Sequence, residues 1–132
     1  MDYVKWVNKN KSRQKPILSE FQKYTMSKMV NQLEDYTTFS LALSIVSKPE
    51  PFIQFLNEVC GYDVEDKEIT VVWPQCPINT KSRLDLLIGF SMPHDKSEVV
   101  SCLIIESKIE DELTEEQLEK YLGEVHNCNY LT

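Results

Sequence analysis

No segment of this chain is long and apolar enough to span a membrane, which takes about 20 consecutive apolar residues. The start is no signal peptide either, because Lys5, Lys9, Lys11, Arg13 and Lys15 interrupt every apolar stretch there. Paired cysteines are missing. Cys60, Cys76, Cys102 and Cys128 lie far apart with no C-x-x-C, and no histidine stands at ligand spacing. A structural zinc site is therefore not expected. Cys102, inside an apolar run, reads as a buried free thiol in a reducing cytoplasm. A Ser or Cys nucleophile has no support, since neither His94 nor His126 falls in a recognisable triad context. Internal repeats and low-complexity segments are absent too. So is an excess of positive charge: 14 Lys and Arg face 21 Asp and Glu, a net charge of −7. That balance argues mildly against a nucleic-acid partner, whose phosphates favour a basic surface.

What is present is one domain's worth of chain, 132 residues with ordinary apolar and charged fractions. The charge is unevenly placed. The first 19 residues hold five cations and Asp2 as their one acid. Residues 110–120 hold Glu110, Asp111, Glu112, Glu115, Glu116 and Glu119 against Lys120. The acidic stretch reads as a solvated helix face with its lead-in loop. The basic arm could touch phosphate, and a charged, partly disordered terminus accounts for it equally well.

Residues 1–16 read as irregular, with Trp6 their one large apolar anchor. The spacing of Leu18, Phe21, Met29, Leu33 and Tyr36 predicts a helix over 17–36. Thr37 or Thr38 caps a second helix through Val46, apolar on most sides and so expected to be buried. Pro49 and Pro51 restart the pattern for a third, carried by Phe52, Ile53, Phe55, Leu56 and Val59 and stopped at Gly61. Strands follow: Glu68 to Trp73 ending at Pro74, Ser82 to Phe90, and Val99 to Lys108 after a turn at 93–96. A helix from Thr114 to about His126 and a last strand from Asn129 complete the order. The expected fold is α/β: a mixed sheet flanked by helices, with residues 1–36 as arm and helix and 37–132 as core. A chain stopping in the fourth strand leaves little to cover a sheet edge, so the core is expected to be cut short at its C-terminal end.

Two of the strands carry the chemistry. Arg83-Leu84-Asp85-Leu86-Leu87-Ile88 and Cys102-Leu103-Ile104-Ile105-Glu106-Ser107-Lys108 are apolar runs holding charges that a covered strand tolerates only when they pair or bind metal. Alternation puts Glu106 and Lys108 on one face, with Ser107 pointing away. If Asp85 lies on the neighbouring strand, two carboxylates and an amine converge. Asp85 followed by Glu106-Ser107-Lys108 resembles the PD-(D/E)xK nuclease superfamily. Gln117 to Tyr121 is similar to the Q-x-x-x-Y helix of many members, and residues 38–43 and 51–56 resemble the helices before the core in a bacterial and phage branch. The resemblance covers roughly residues 34 to 132. The residue before Asp85, Leu84, departs from the Pro of the pattern.

The resemblance implies a Mg²⁺- or Mn²⁺-dependent nuclease, cutting DNA more readily than RNA, in restriction, defence or repair. Asp85 and Glu106 would be metal ligands, with the Ser107 backbone carbonyl as a third, and Lys108 would stand beside the bound water. Two of these have a plainer reading: an ion pair to Arg83 or Lys108 for Asp85, a solvent-reaching strand end for Lys108. Gln117 divides between a capping box begun at Thr114 and a contact to phosphate or water. Tyr121 divides between core packing and a hydroxyl aimed at the site. Arg83 could contact phosphate, hold Asp85 or form a peripheral salt bridge. A further acid is not assigned: the strand before Asp85 offers Gln75, and Glu34 and Glu58 are helical candidates that serve equally as surface residues. A homodimer would suit the cutting of two strands. Two rivals remain, a catalytically weak or inactive module of the same fold for binding or assembly, and an acidic protein that sequesters a basic partner or mimics DNA.

Overall fold

In a computed structural model the described residues are 1–28, 33–106 and 128–131. Four helices precede the sheet: α1 (Tyr3–Asn10), α2 (Ile17–Lys28), α3 (Leu33–Ser47) and α4 (Glu50–Glu58). Four strands follow: β1 (Glu68–Pro77), β2 (Arg83–Met92), β3 (Asp95–Ile105) and β4 (Cys128–Leu131). They form one sheet in the order β1-β2-β3-β4. The first three run antiparallel and β4 runs parallel to β3, so the sheet is mixed as expected.

The sheet is covered on both faces, which is why its strands read as nearly continuous apolar runs. Val72, Leu86, Ile88, Phe90 and Leu103 pack with Ala42 and Ile45 of α3 and Leu56 of α4. Val71, Trp73, Leu87, Cys102 and Ile104 pack on the other side with Tyr3 and Val7 of α1. Close approach on this second side requires Gly89, since a Cβ there would stand 3.0 Å from Val71 Cβ. Cys76 and Cys102 are free, buried thiols, as read for Cys102.

The N-terminal arm corrects the expectation of irregular chain. Asp2 caps α1 by accepting from the Lys5 N–H at 3.2 Å, and a 3₁₀ turn over Lys11–Arg13 continues the helix. Tyr3, Val7 and Asn10 recur at i, i+4 and i+7 and are buried, so the sheet supplies a face for them to cover. Asn8 fixes the helix to the edge of β3 that β4 does not reach. Its amide donates to the Val99 carbonyl at 2.9 Å and accepts from the Val99 N–H at 2.8 Å. The Lys11 ammonium donates to the Ser97 carbonyl.

Other boundaries move for physical reasons. Thr37 and Thr38 lie inside α3, not at its cap, because Tyr36 and Phe39 are drawn onto one helix by ring contacts to Phe21 at 5.4 and 5.7 Å. Leu18 is 55% exposed, since Ile17 and Phe21, four apart, take the inner face of α2. In α3 the expected burial holds for Phe39, Ala42 and Ile45, whereas Val46 faces outwards. Pro49 and Pro51 do start α4, and Gly61 adopts the left-handed φ of 74° after it. β1 runs on through Pro74 to Pro77 because it is an edge strand, where a proline costs little pairing. The β2–β3 turn narrows to Pro93-His94, so β3 starts at Asp95.

Candidate active site

The site is built by sheet register. Leu86 pairs with Ile105 across β2 and β3, so one further step sets Asp85 opposite Glu106. On the other side Pro74 pairs with Leu86 and Cys76 with Leu84, which sets Gln75 opposite Asp85. The two acids singled out in sequence, 21 residues apart in the chain, thus come to the same level of the sheet, one step past the pair Leu86–Ile105. Glu106 is 5% exposed and Asp85 half-buried. A carboxylate with so little access to water stays ionised only near cations or good donors.

Gln75 has a φ of 53°, the left-handed region that a side chain rarely adopts. The reason lies in the packing around it. Trp73 and Leu87, an opposed pair, face α1, and Leu86 faces α3 and α4. Strict alternation would then send Cys76 and Leu84 to the α3 side. Both pack on the α1 side instead, so the alternation slips by one residue at the Gln75–Asp85 pair. In β3 the alternation is regular through Ile104 and Ile105, and its continuation turns Glu106 towards the α1 side. Sequence reading named Gln75 only as a position where an acid is missing. A left-handed turn inside a strand has no side-chain signature apart from glycine or asparagine, so nothing in the sequence marks it.

Arg83 opens β2 opposite Pro77 and is exposed. Glu58 ends α4, exposed, and accepts from Gln54 Nε2 at 3.3 Å; nothing joins it to the opposed pair among the described residues. Glu34 lies in the first turn of α3. Ser107, Lys108, Gln117 and Tyr121 lie outside the described residues, as does the helix expected from Thr114. Among the described residues no group of three His, Cys, Asp or Glu side chains comes together to hold a metal ion. The donor set present is two carboxylates, the ligand type that hard divalent cations select.

The remaining chemistry can be set apart. Burial, reinforced by Cys102 nearby, pushes the Cys76 thiol far above its ordinary range, so it stays protonated and inert. A cleft of about 470 Å³ lined by Gln14, Lys15, Ile17, Val46, Pro49 and Thr70 contains neither acid. No helix among the described residues is long and apolar enough to cross a membrane.

No curated protein and no solved structure matches the chain. A family profile does, over residues 6–130, which takes in most of α1 and all of α2 that the motif resemblance had left aside. With two opposed carboxylates on a mixed sheet and a match over nearly its whole length, the chain belongs to the PD-(D/E)XK nuclease superfamily.

Proposed function

We propose that the protein is a metal-dependent nuclease that hydrolyses phosphodiester bonds, in DNA more readily than in RNA. The observation that carries this reading is the register opposition of Asp85, near the start of β2, and the buried Glu106, just past the end of β3. Two carboxylates at one level of the sheet are the oxygen ligands that a hard divalent cation takes. Asp85 and Glu106 are the ligands for Mg²⁺ or Mn²⁺, joined by the Ser107 carbonyl. When bound, such an ion lowers the pKa of water and neutralises phosphate charge.

The chain's own residues do the rest. Lys108, two residues past Glu106, offers an ammonium that holds the attacking water or the phosphoryl oxygens. Arg83, exposed at the start of β2, is accessible to a phosphate beside the one attacked. Gln117 and Tyr121, further along the chain, are the residues that would support the site. A binding module of the same fold is the second reading, favoured by one observation: the described residues bring together two acids and no third.

The deciding experiment is cleavage of supercoiled and linear DNA, with an RNA control, in Mg²⁺, Mn²⁺ or EDTA. Parent, Lys108→Ala and Glu106→Gln proteins are compared. Metal-dependent cutting that falls about 100-fold or more in both variants is expected, the scale seen when one group stabilising a transition state is removed. A folded parent that binds DNA and cuts nothing, even with Mn²⁺, would favour the binding module. Equal cutting by all three would place the chemistry elsewhere.

A further inference from the structure

The proposed substrate is a polyanion, and the chain that must hold it has a net charge of −7. The first 19 residues, with five cations and one acid, contribute +4 to that total and leave −11 for all the others. The carboxylates at the site add to the repulsion. A nucleic-acid backbone must then be held by cations that lie apart from the reacting centre.

In a loose terminus the cations of the arm would be solvated charges with no fixed position. α1 makes them a surface. Tyr3, Val7 and Asn10 bury one side of the helix, while Lys5 and Lys9, four residues apart, are exposed on the opposite side. Arg13, one further step of four, is exposed in the 3₁₀ turn and tied to Asn10 Oδ1 at 3.1 Å. The Asp2 cap and the bonds of Asn8 and Lys11 to β3 hold the helix in place. Among the described residues no carboxylate pairs with Lys5, Lys9 or Arg13; the ion pairs there are Lys67–Asp66 and Lys96–Glu68.

The row also has the right position. α1 covers the side of the sheet towards which alternation turns Glu106. Trp6 of α1 rests on Trp73, ring centroids 5.5 Å apart. Trp73 is two residues, about 7 Å of strand, from Gln75 opposite Asp85. A strand lying along α1 therefore passes within a few nucleotides of the carboxylates.

We propose that Lys5, Lys9 and Arg13 form a track for the sugar-phosphate backbone of the nucleic acid leading into the Asp85–Glu106 site. This inference rests on the nuclease reading and adds to it the surface that holds the substrate. Contacts of this kind position a strand without reading its sequence. They carry a salt signature, because each neutralised phosphate releases counterions.

The test measures binding of labelled single-stranded and duplex DNA in EDTA, between 50 and 200 mM salt. The parent is compared with the triple variant Lys5→Gln, Lys9→Gln, Arg13→Gln. A control triple, Lys48→Gln, Lys81→Gln, Lys96→Gln, removes the same charge from exposed sites elsewhere. The track variant is expected to bind about 10- to 100-fold more weakly than the parent, with a salt slope shallower by about two to three, and to fall well below the control. Hydrolysis of bis(p-nitrophenyl) phosphate with Mn²⁺, a substrate too small to reach the track, is expected in the parent and lost in Glu106→Gln, which reads the site apart from the track. A parent that cuts DNA while the track variant binds as tightly as it, or no worse than the control, overturns the track and leaves the nuclease standing. A parent that neither binds nor cuts nucleic acid overturns both, and an arm that prefers anionic lipid vesicles to DNA overturns the track alone.

Discussion

Gln75 is where a single residue departs furthest from its surroundings. A left-handed φ of 53° near the end of a strand costs a non-glycine residue about 1–2 kcal/mol. It is sustained by the shift that brings Cys76 and Leu84 to the α1 side, directly beside Asp85. At an ordinary strand position valine outranks glycine by up to about 1 kcal/mol. At Gln75 the order should invert: Gln75→Gly is expected to unfold at higher urea than Gln75→Val, by about 1–2 kcal/mol at unchanged m value. Valine matching or beating glycine would mean that the backbone there is not strained. The contrast with the two acids explains what was legible at this scale. Asp85 and Glu106 stand out because a carboxylate in an apolar run is costly wherever the strand ends up. Gln75 is polar near a strand end, and its peculiarity lies in a backbone angle set by packing across the sheet.

The same distinction holds for whole elements. The three long strands and α4 were legible to within a few residues, because apolar runs, prolines and a glycine stop are local signals. α1 was not. An eight-residue helix cannot persist alone, so its stability comes from a face that exists only once the sheet is formed. The Asp2 cap and the spacing of Tyr3 and Val7 were the available signal, masked by five cations. Asn8 is what converts the packed helix into a fixed one, since its side chain satisfies both backbone groups of Val99, a residue 1% exposed. Asn8→Ala leaves a buried N–H and C=O without those partners, and each such group costs about 1–3 kcal/mol. A loss of about 2–4 kcal/mol in urea unfolding is expected, with Lys5→Gln as a neutral control on the same helix. Equal stability of the two variants would mean that the Val99 groups meet water, and that α1 is held by apolar packing alone.

For the molecule as a whole, the decisive question is whether folding and metal binding are linked. Asp85 and Glu106 become neighbours only when β2 and β3 pair, so the unfolded chain has no comparable site. An ion that binds the folded form alone stabilises it by RT ln(1 + [L]/Kd), about 2.7 kcal/mol at one hundred times Kd. In a domain of this size that corresponds to a rise in melting temperature of roughly 10 °C. The acidic surface complicates the measurement, because any divalent cation screens a net charge of −7. Sodium chloride at matched ionic strength gives the screening part, and Glu106→Gln gives the part that does not need the site. The expected result is a large rise with Mn²⁺ or Mg²⁺ in the parent and, in Glu106→Gln, one no larger than sodium chloride produces. An equal rise in both proteins would mean that the cation acts on the acidic surface at large, and the opposed carboxylates would then be a structural pair in a nuclease fold that does not use them.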